Sequence, residues 1–175
     1  MKPVVLCLAL SVTALAANAQ AGAPQPARPV ASGVFSGFWY EIARTPNLKE
    51  LDCQGASFAF TGWAAGDFSV VQTCHHASPA GPARSTTARA RILPGSQNAK
   101  FKMLLLGGLI SQDYWILDHA DDNLWAIMAT PGGHYVWLVS RRPALDAPVQ
   151  ATALARVKAL GFDLSRLVFP QQPAR

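Results

Sequence analysis

Between Phe38 and Arg141 the sequence switches repeatedly between short extended runs and turn residues, with no stretch in between that reads as a helix. This pattern constrains the fold more than any other feature. "RSTTARARIL" sets Arg89 and Arg91 on one face and Ala88, Ala90 and Ile92 on the other, as a half-buried strand does. "AKFKMLLLG" turns both lysines outward, which sends Phe101, Met103 and Leu105 inward. "GASFAFTG" puts Ala56, Phe58 and Phe60 on one side. Pro46 closes the first run, "FWYEIART", and "WAAGD", "SPAGPA", "PGSQN", "ADDN" and "PGG" supply turns. Counted this way there are eight strands, and links this short predict an antiparallel meander rather than βαβ units. Such strands hide their edges by closing into a barrel or splitting into a sandwich. An eight-stranded barrel is either filled by its side chains or just wide enough for one small ligand.

One helix follows the strands. Asp146 is the expected N-cap, Pro148 falls in the first turn, Leu154, Val157 and Leu160 recur at helical spacing, and Gly161 ends it. That stripe is expected to pack on the barrel wall, and Leu164 to Phe169 reads as a further extended run. At the other end, a charged start, the apolar run "VVLCLALSVTALAA" and small residues at "ANA" or "AQA" predict an export signal over residues 1–21. Cys7 follows Leu6 inside that run and lacks the setting of a lipoprotein cysteine. Residues 22–33 hold three prolines and read as a flexible tether, leaving 34–175 as one folded domain. In an exported chain the remaining Cys53 and Cys74 predict a disulfide, worth roughly 3 kcal/mol on a chain-entropy account. Direct pairing across the hairpin would set Phe58 opposite Ser69 and turn both cysteines from the interior, whereas a bulge would change this.

Half of the residues are hydrophobic and 14% are charged, which excludes disorder. The net charge of +5 is spread out, with no basic stripe interleaved with aromatics, so nucleic acid is not an expected partner. Contact with an anionic membrane surface fits that charge. The adjacent ligands of "CHH" at 74–76 suit no tetrahedral ion, and no metal or other cofactor is expected.

"GFWYEIAR" resembles the Gly-x-Trp signature of the lipocalins, and "YWILDHADDNLWAIM" with "HYVWLVSRRP" resembles their later strands. "GFDLSRLVFPQQP" is similar to the C-terminal end of the bacterial lipocalin (Blc) branch, to which apolipoprotein D is related. The resemblance implies an all-β, eight-stranded up-and-down barrel with the helix outside. It implies that Gly37 lets the chain turn tightly into the barrel while Trp39 and Arg141 plug its closed end, by a guanidinium stacked on an indole. "GGHY" departs from the family's usual Asp-Tyr pair at His134, and the lipoprotein cysteine of several bacterial members is missing.

The same resemblance gives Trp137 and Phe58 to the ligand pocket. Parity adds Tyr135 and Phe60, and the lysine argument adds Phe101, Met103 and Leu105. Tyr114, Trp115 and Trp125 are candidates that parity does not separate, because those strands carry aromatics on both faces. An aromatic and aliphatic lining suits an acyl chain, with a rim Arg or Lys meeting an anionic head group. The expected function is transport or storage of a small hydrophobic ligand, a fatty acid or lysophospholipid, by a periplasmic or secreted monomer or weak homodimer. No Ser-His-Asp spacing or paired carboxylates converge on the expected interior, so an enzyme is not expected. Asp113, Asp118, Asp121 and Asp122 fall at strand ends or turns, where solvation accounts for them. The competing expectation is a barrel without a lipid ligand that works through a dimer or partner surface.

Overall fold

The computed structural model describes residues 22–48 and 50–173; the expected export signal, with Cys7, lies outside them. Eight antiparallel strands close into a barrel: β1 (Gly37–Arg44), β2 (Cys53–Ala64), β3 (Asp67–His76), β4 (Ala83–Ile92), β5 (Lys100–Leu105), β6 (Ile110–His119), β7 (Trp125–Ala129) and β8 (Val136–Ser140). Each strand pairs with the next, and β8 returns to β1, Tyr40 opposite Ser140. Closure leaves no free sheet edge, which is why so short a set of strands is stable alone.

Two bulges decide which side chains enter the barrel. In β2, Gln54 lies opposite His75 but Ser57 opposite Thr73, so one extra residue sits near Gly55, whose φ is +53°. Phe58 therefore meets Gln72 and Phe60 meets Val70, rather than the Phe58–Ser69 pairing of a bulge-free hairpin. Cys53 and Cys74 form a disulfide, Cα–Cα 5.3 Å, and Cys74 shares the inward register of Gln72 and Val70. In β1, Glu41 lies opposite Val139 but Ala43 opposite Leu138, so Ile42 is the extra residue. Without it Arg44 would face outward; with it Arg44 lies opposite Trp137, on the same face as Glu41.

The interior cluster holds Trp39, Phe58, Phe60, Phe68, Val70, Phe101, Met103, Ile116, Met128, Trp137 and Val139. A second apolar cluster lies outside, where helix α1 (Ala147–Ala159) buries Ala153 and Val157 among Leu117, Ile127 and Leu138. Asp146 precedes α1 but its side chain caps nothing; Pro148 stands in the first turn as expected. Residues Leu164–Arg166 form a 3-10 turn where an extended run was expected, and only Val168 pairs, with Arg44.

Residues 22–33 do not hang free as a tether. They run along the outside of the barrel, with Ala23 N–H donating to Pro131 O at 2.9 Å and Val30 N–H to Gln97 O at 3.0 Å. Arg28 reaches Asp118 at 3.4 Å and Asp121 at 2.5 Å. Asp118 also takes Arg156 of α1 at 2.7 Å and is buried, so solvation does not explain it. A buried carboxylate with two guanidiniums thus fastens both flanking segments to β6.

Candidate ligand site

The closed end is built from the first strand. Gly37 has φ +76°, where a side chain is strained, and a Cβ there would stand 3.4 Å from Arg141. The chain enters through a 3-10 turn, Ser32–Phe35, that buries Val34 and Phe35. Trp39 is buried, and its indole N–H donates to Val34 O at 3.0 Å. The Arg141 guanidinium lies 3.9 Å from the centre of the Trp39 ring. Its Nη1 donates to Ser36 O at 2.6 Å and to Phe38 O at 3.2 Å, so one cation ties the turn to β1. Replacing Arg141 with Ala removes both the stacking and these carbonyl partners; an expected loss of about 1–3 kcal/mol in urea unfolding checks it.

From this plug a column of rings rises through the barrel. Phe35 meets Phe68 at 5.2 Å and Phe101 at 5.6 Å between centroids, and Phe60 meets Phe68 at 5.9 Å. Phe101 stacks on Tyr114 at 5.4 Å, Tyr114 reaches Trp137 at 5.7 Å, and Trp137 reaches Tyr135 at 6.1 Å. Burial falls from the plug to the far end of the column: Phe35 and Phe101 are 1% exposed, Tyr114 is partly buried, Trp137 is 7% exposed and Tyr135 40%. The lower half is therefore packed, with Phe60 and Phe101 in its floor. Phe58 lies opposite Trp39 and Tyr114 opposite Phe101, at the edge of that floor, while Met103, Leu105, Trp137 and Tyr135 lie further along their strands toward the end opposite the plug. Burial pushes the Tyr114 hydroxyl up to about 12, reinforced by the nearby charge of Glu50, so it stays protonated.

Trp115 and Trp125 are not in this interior. Both join the outer cluster, Trp115 beneath the Lys100 ammonium at 4.1 Å from its ring. Tyr114 and Trp115 alternate across one strand, and the helix makes the outer face as apolar as the inner one.

Above the floor lies a polar group that strand patterning did not reveal. Arg44, Glu41 and Glu50 are all buried. Arg44 Nη1 donates to Glu41 at 2.6 Å, its Nη2 to Cys53 O at 3.2 Å, and its Nε stands 3.5 Å from Glu50. Gln72 and Asn47 also donate to Glu50. Burial, with Glu50 adding to it against the pull of Arg44, pushes the Glu41 carboxyl up to about 8. Three polar atoms here lack a hydrogen-bond partner: Glu41 Oε2, Arg44 Nε and the indole N–H of Trp137.

Arg84 is the rim cation. It lies opposite Cys74, and Thr86 opposite Gln72, so Arg84 shares the inward face of Ala88 and Ala90 at the open end. It is exposed, with no ion pair among the described residues. Arg91, by contrast, is outside and paired with Asp67 at 2.6 Å. Following the Ala88, Ala90, Ile92 face of "RSTTARARIL" back through Thr86 to the first residue of that run would have found Arg84.

A closed eight-stranded calyx, plugged at one end by Trp39 and Arg141 and lined with rings toward the other, defines a protein that binds small hydrophobic ligands. The lipocalin-like domain matches residues 32–172, and the chain belongs to this family, as a bacterial lipocalin of the Blc type. It is 24% identical over 159 residues to the outer membrane lipoprotein Blc of Vibrio cholerae serotype O1, covering 89% of this chain and 92% of that one. It is 24% identical over 139 residues to the protein of the same name from Escherichia coli K12, covering 79% and 77%. Among solved structures it is similar to insecticyanin from the tobacco hornworm Manduca sexta (TM-score 0.69, 19% identity, covering 85% and 84%). It is also similar to lobster apocrustacyanin A1 (TM-score 0.63, 16% identity, covering 82% and 80%).

Proposed function

We propose that the barrel carries one single-chain lipid, a fatty acid or lysophospholipid, in the bacterial envelope, with its tail against the ring column and its head at the open end. The carrying observation is the gradation of that column from a packed floor at Phe35 and Phe101 to an accessible Tyr135. Phe58, Met103, Leu105, Tyr114 and Trp137 are the proposed lining, and the unpartnered Trp137 N–H is a donor for an oxygen of the ligand.

The polar group fixes the orientation. Arg44 is engaged by Glu41, Glu50 and backbone carbonyls, so an anionic head pushed to that depth meets two acidic side chains rather than a free cation. Arg84, at the rim, is free to meet it. Arg84→Ala is therefore expected to weaken binding of a fatty acid or lysophospholipid by about 3- to 10-fold, the modest range of an exposed charge. Affinity for an uncharged monoacylglycerol should not change.

The direct test is native mass spectrometry of protein taken from a bacterial periplasm without detergent. A discrete adduct of fatty-acid or lysophospholipid mass supports the carrier. A bare chain that takes up neither lipid on incubation sinks it. The same spectrum reads the processed N-terminus, expected after Ala19 or Ala21. A carrier rather than an enzyme is also our reading, since Cys53 and Cys74 are joined and offer no thiol to the interior.

A further inference from the structure

We propose that the open end docks on an anionic lipid bilayer, through leucines on two loops at opposite sides of the barrel mouth. The β1–β2 loop carries Leu48, 88% exposed, and Leu51, 71% exposed. The β5–β6 loop carries Leu106 at 72% and Leu109 at 88%, with Ile110 half-exposed beside them. In the strand order β1 to β8 these two loops stand half a turn of the barrel apart. None of these leucines joins either apolar cluster. Single exposed leucines need no explanation, but five aliphatic side chains at one end of a barrel do.

The β5–β6 loop holds its leucine out against local preference. Leu106 has φ +49°, followed by Gly107 at +69° and Gly108 at +98°. A γ-branched residue in the left-handed region is uncommon, and a sequence selected only for folding would put Gly or Asn there.

The geometry selects the occupant. A contact that covers both loops must span the mouth, which calls for a broad, flat, apolar surface rather than a peptide. The charge selects its sign. The chain carries +5, and Arg84 is unpaired inside the ring of leucines. Among the described residues of this end, Glu50 is buried and engaged, and Asp52 is paired with His76 at 2.6 Å. The exposed Asp52, hydrogen-bonded to His76, is the one carboxylate among these that faces a head-group layer, and the unpaired Arg84 offsets it. Docked in this way the mouth opens into the bilayer, and a single-chain lipid can pass between membrane and barrel without crossing water. The docking itself does not depend on which lipid the barrel carries.

The test is co-sedimentation of the periplasmic protein with vesicles of phosphatidylcholine containing phosphatidylglycerol, against vesicles of phosphatidylcholine alone. The wild-type protein is expected to sediment with the anionic vesicles and to be released by salt. The double variants Leu106→Asp/Leu109→Asp and Leu48→Asp/Leu51→Asp should each partition about tenfold more weakly or worse. Near-UV circular dichroism and loading with monomeric lysophospholipid from solution confirm that the variants fold and that the ligand site is intact. Loading that persists while sedimentation is lost separates docking from the carrier function. Wild-type protein that stays in the supernatant overturns the proposal, as do variants that sediment like the wild type. A dimer in size-exclusion chromatography that the leucine variants dissociate also overturns it, and gives this face to a second copy.

Discussion

Arg44→Ala is expected to lower stability by about 3–5 kcal/mol in urea unfolding with the disulfide intact, the largest loss of any single polar substitution in this barrel. Arg44 is buried 2.6 Å from Glu41 and 3.5 Å from Glu50, and its removal leaves the buried Glu50 without its cation and Glu41 without its donor. The loss should depend on pH. Folded Glu41 keeps its proton up to about 8, whereas the ordinary carboxyl value is 4.5. Between those values the folded chain holds a proton that the unfolded chain has released. Stability from this group therefore falls as pH rises through that window, by at most about 1.4 kcal/mol per pH unit. Glu41→Gln, which cannot ionise, should flatten this slope and gain on the wild type at pH 8. Arg44→Ala should be worst at high pH, where Glu41 would have to ionise unaided. Equal losses at pH 5 and pH 9 would show that Arg44 acts by packing and not by charge.

The Arg44 group also marks where strand patterning stops. Alternation placed Phe58, Phe60, Phe101, Met103 and Trp137 on the interior face, because those strands have one apolar and one polar side. It failed in two ways. A bulge at Ile42 shifts the phase within β1, so Glu41 and Arg44 face the same side although three positions apart, and nothing local in "YEIAR" announces the extra residue. On β6 and β7 a helix covers the outer face, so Trp115 and Trp125 are as apolar as their inward neighbours and periodicity carries no information. The strap over residues 22–33 is a third case. Its prolines read as a flexible tether, but the segment is fastened through Arg28, which gains its meaning from Asp118, ninety residues away in sequence. The plug was legible because Gly37, Trp39 and Arg141 keep a recognisable spacing. The mouth leucines were not legible, since exposure at a loop tip depends on barrel closure.

Trp137→Arg is expected to weaken binding of lysophospholipid or fatty acid at least ~100-fold while leaving a folded barrel. Trp137 is in ring contact with Tyr114 at 5.7 Å and Tyr135 at 6.1 Å, so it bridges the packed half of the column and the accessible half. Removing the indole deletes apolar surface that a tail would cover, and removes a buried interior N–H left without a hydrogen-bond partner. The incoming guanidinium would occupy the same path. It lies opposite Arg44 in the β1–β8 register, beside the residue that Glu41 and Glu50 hold, so polar partners stand next to the path it takes. A gentler comparison isolates the donor: Trp137→Phe keeps a ring but loses the N–H. If that donor meets a ligand oxygen, Trp137→Phe should cost about 3- to 10-fold against a lysophospholipid with an ester carbonyl. It should cost little against the ether analogue, which lacks that acceptor. Titration calorimetry on the two ligands, with near-UV circular dichroism to follow the fold, checks both substitutions. Undiminished binding by a folded Trp137→Arg protein would move the ligand out of the barrel interior.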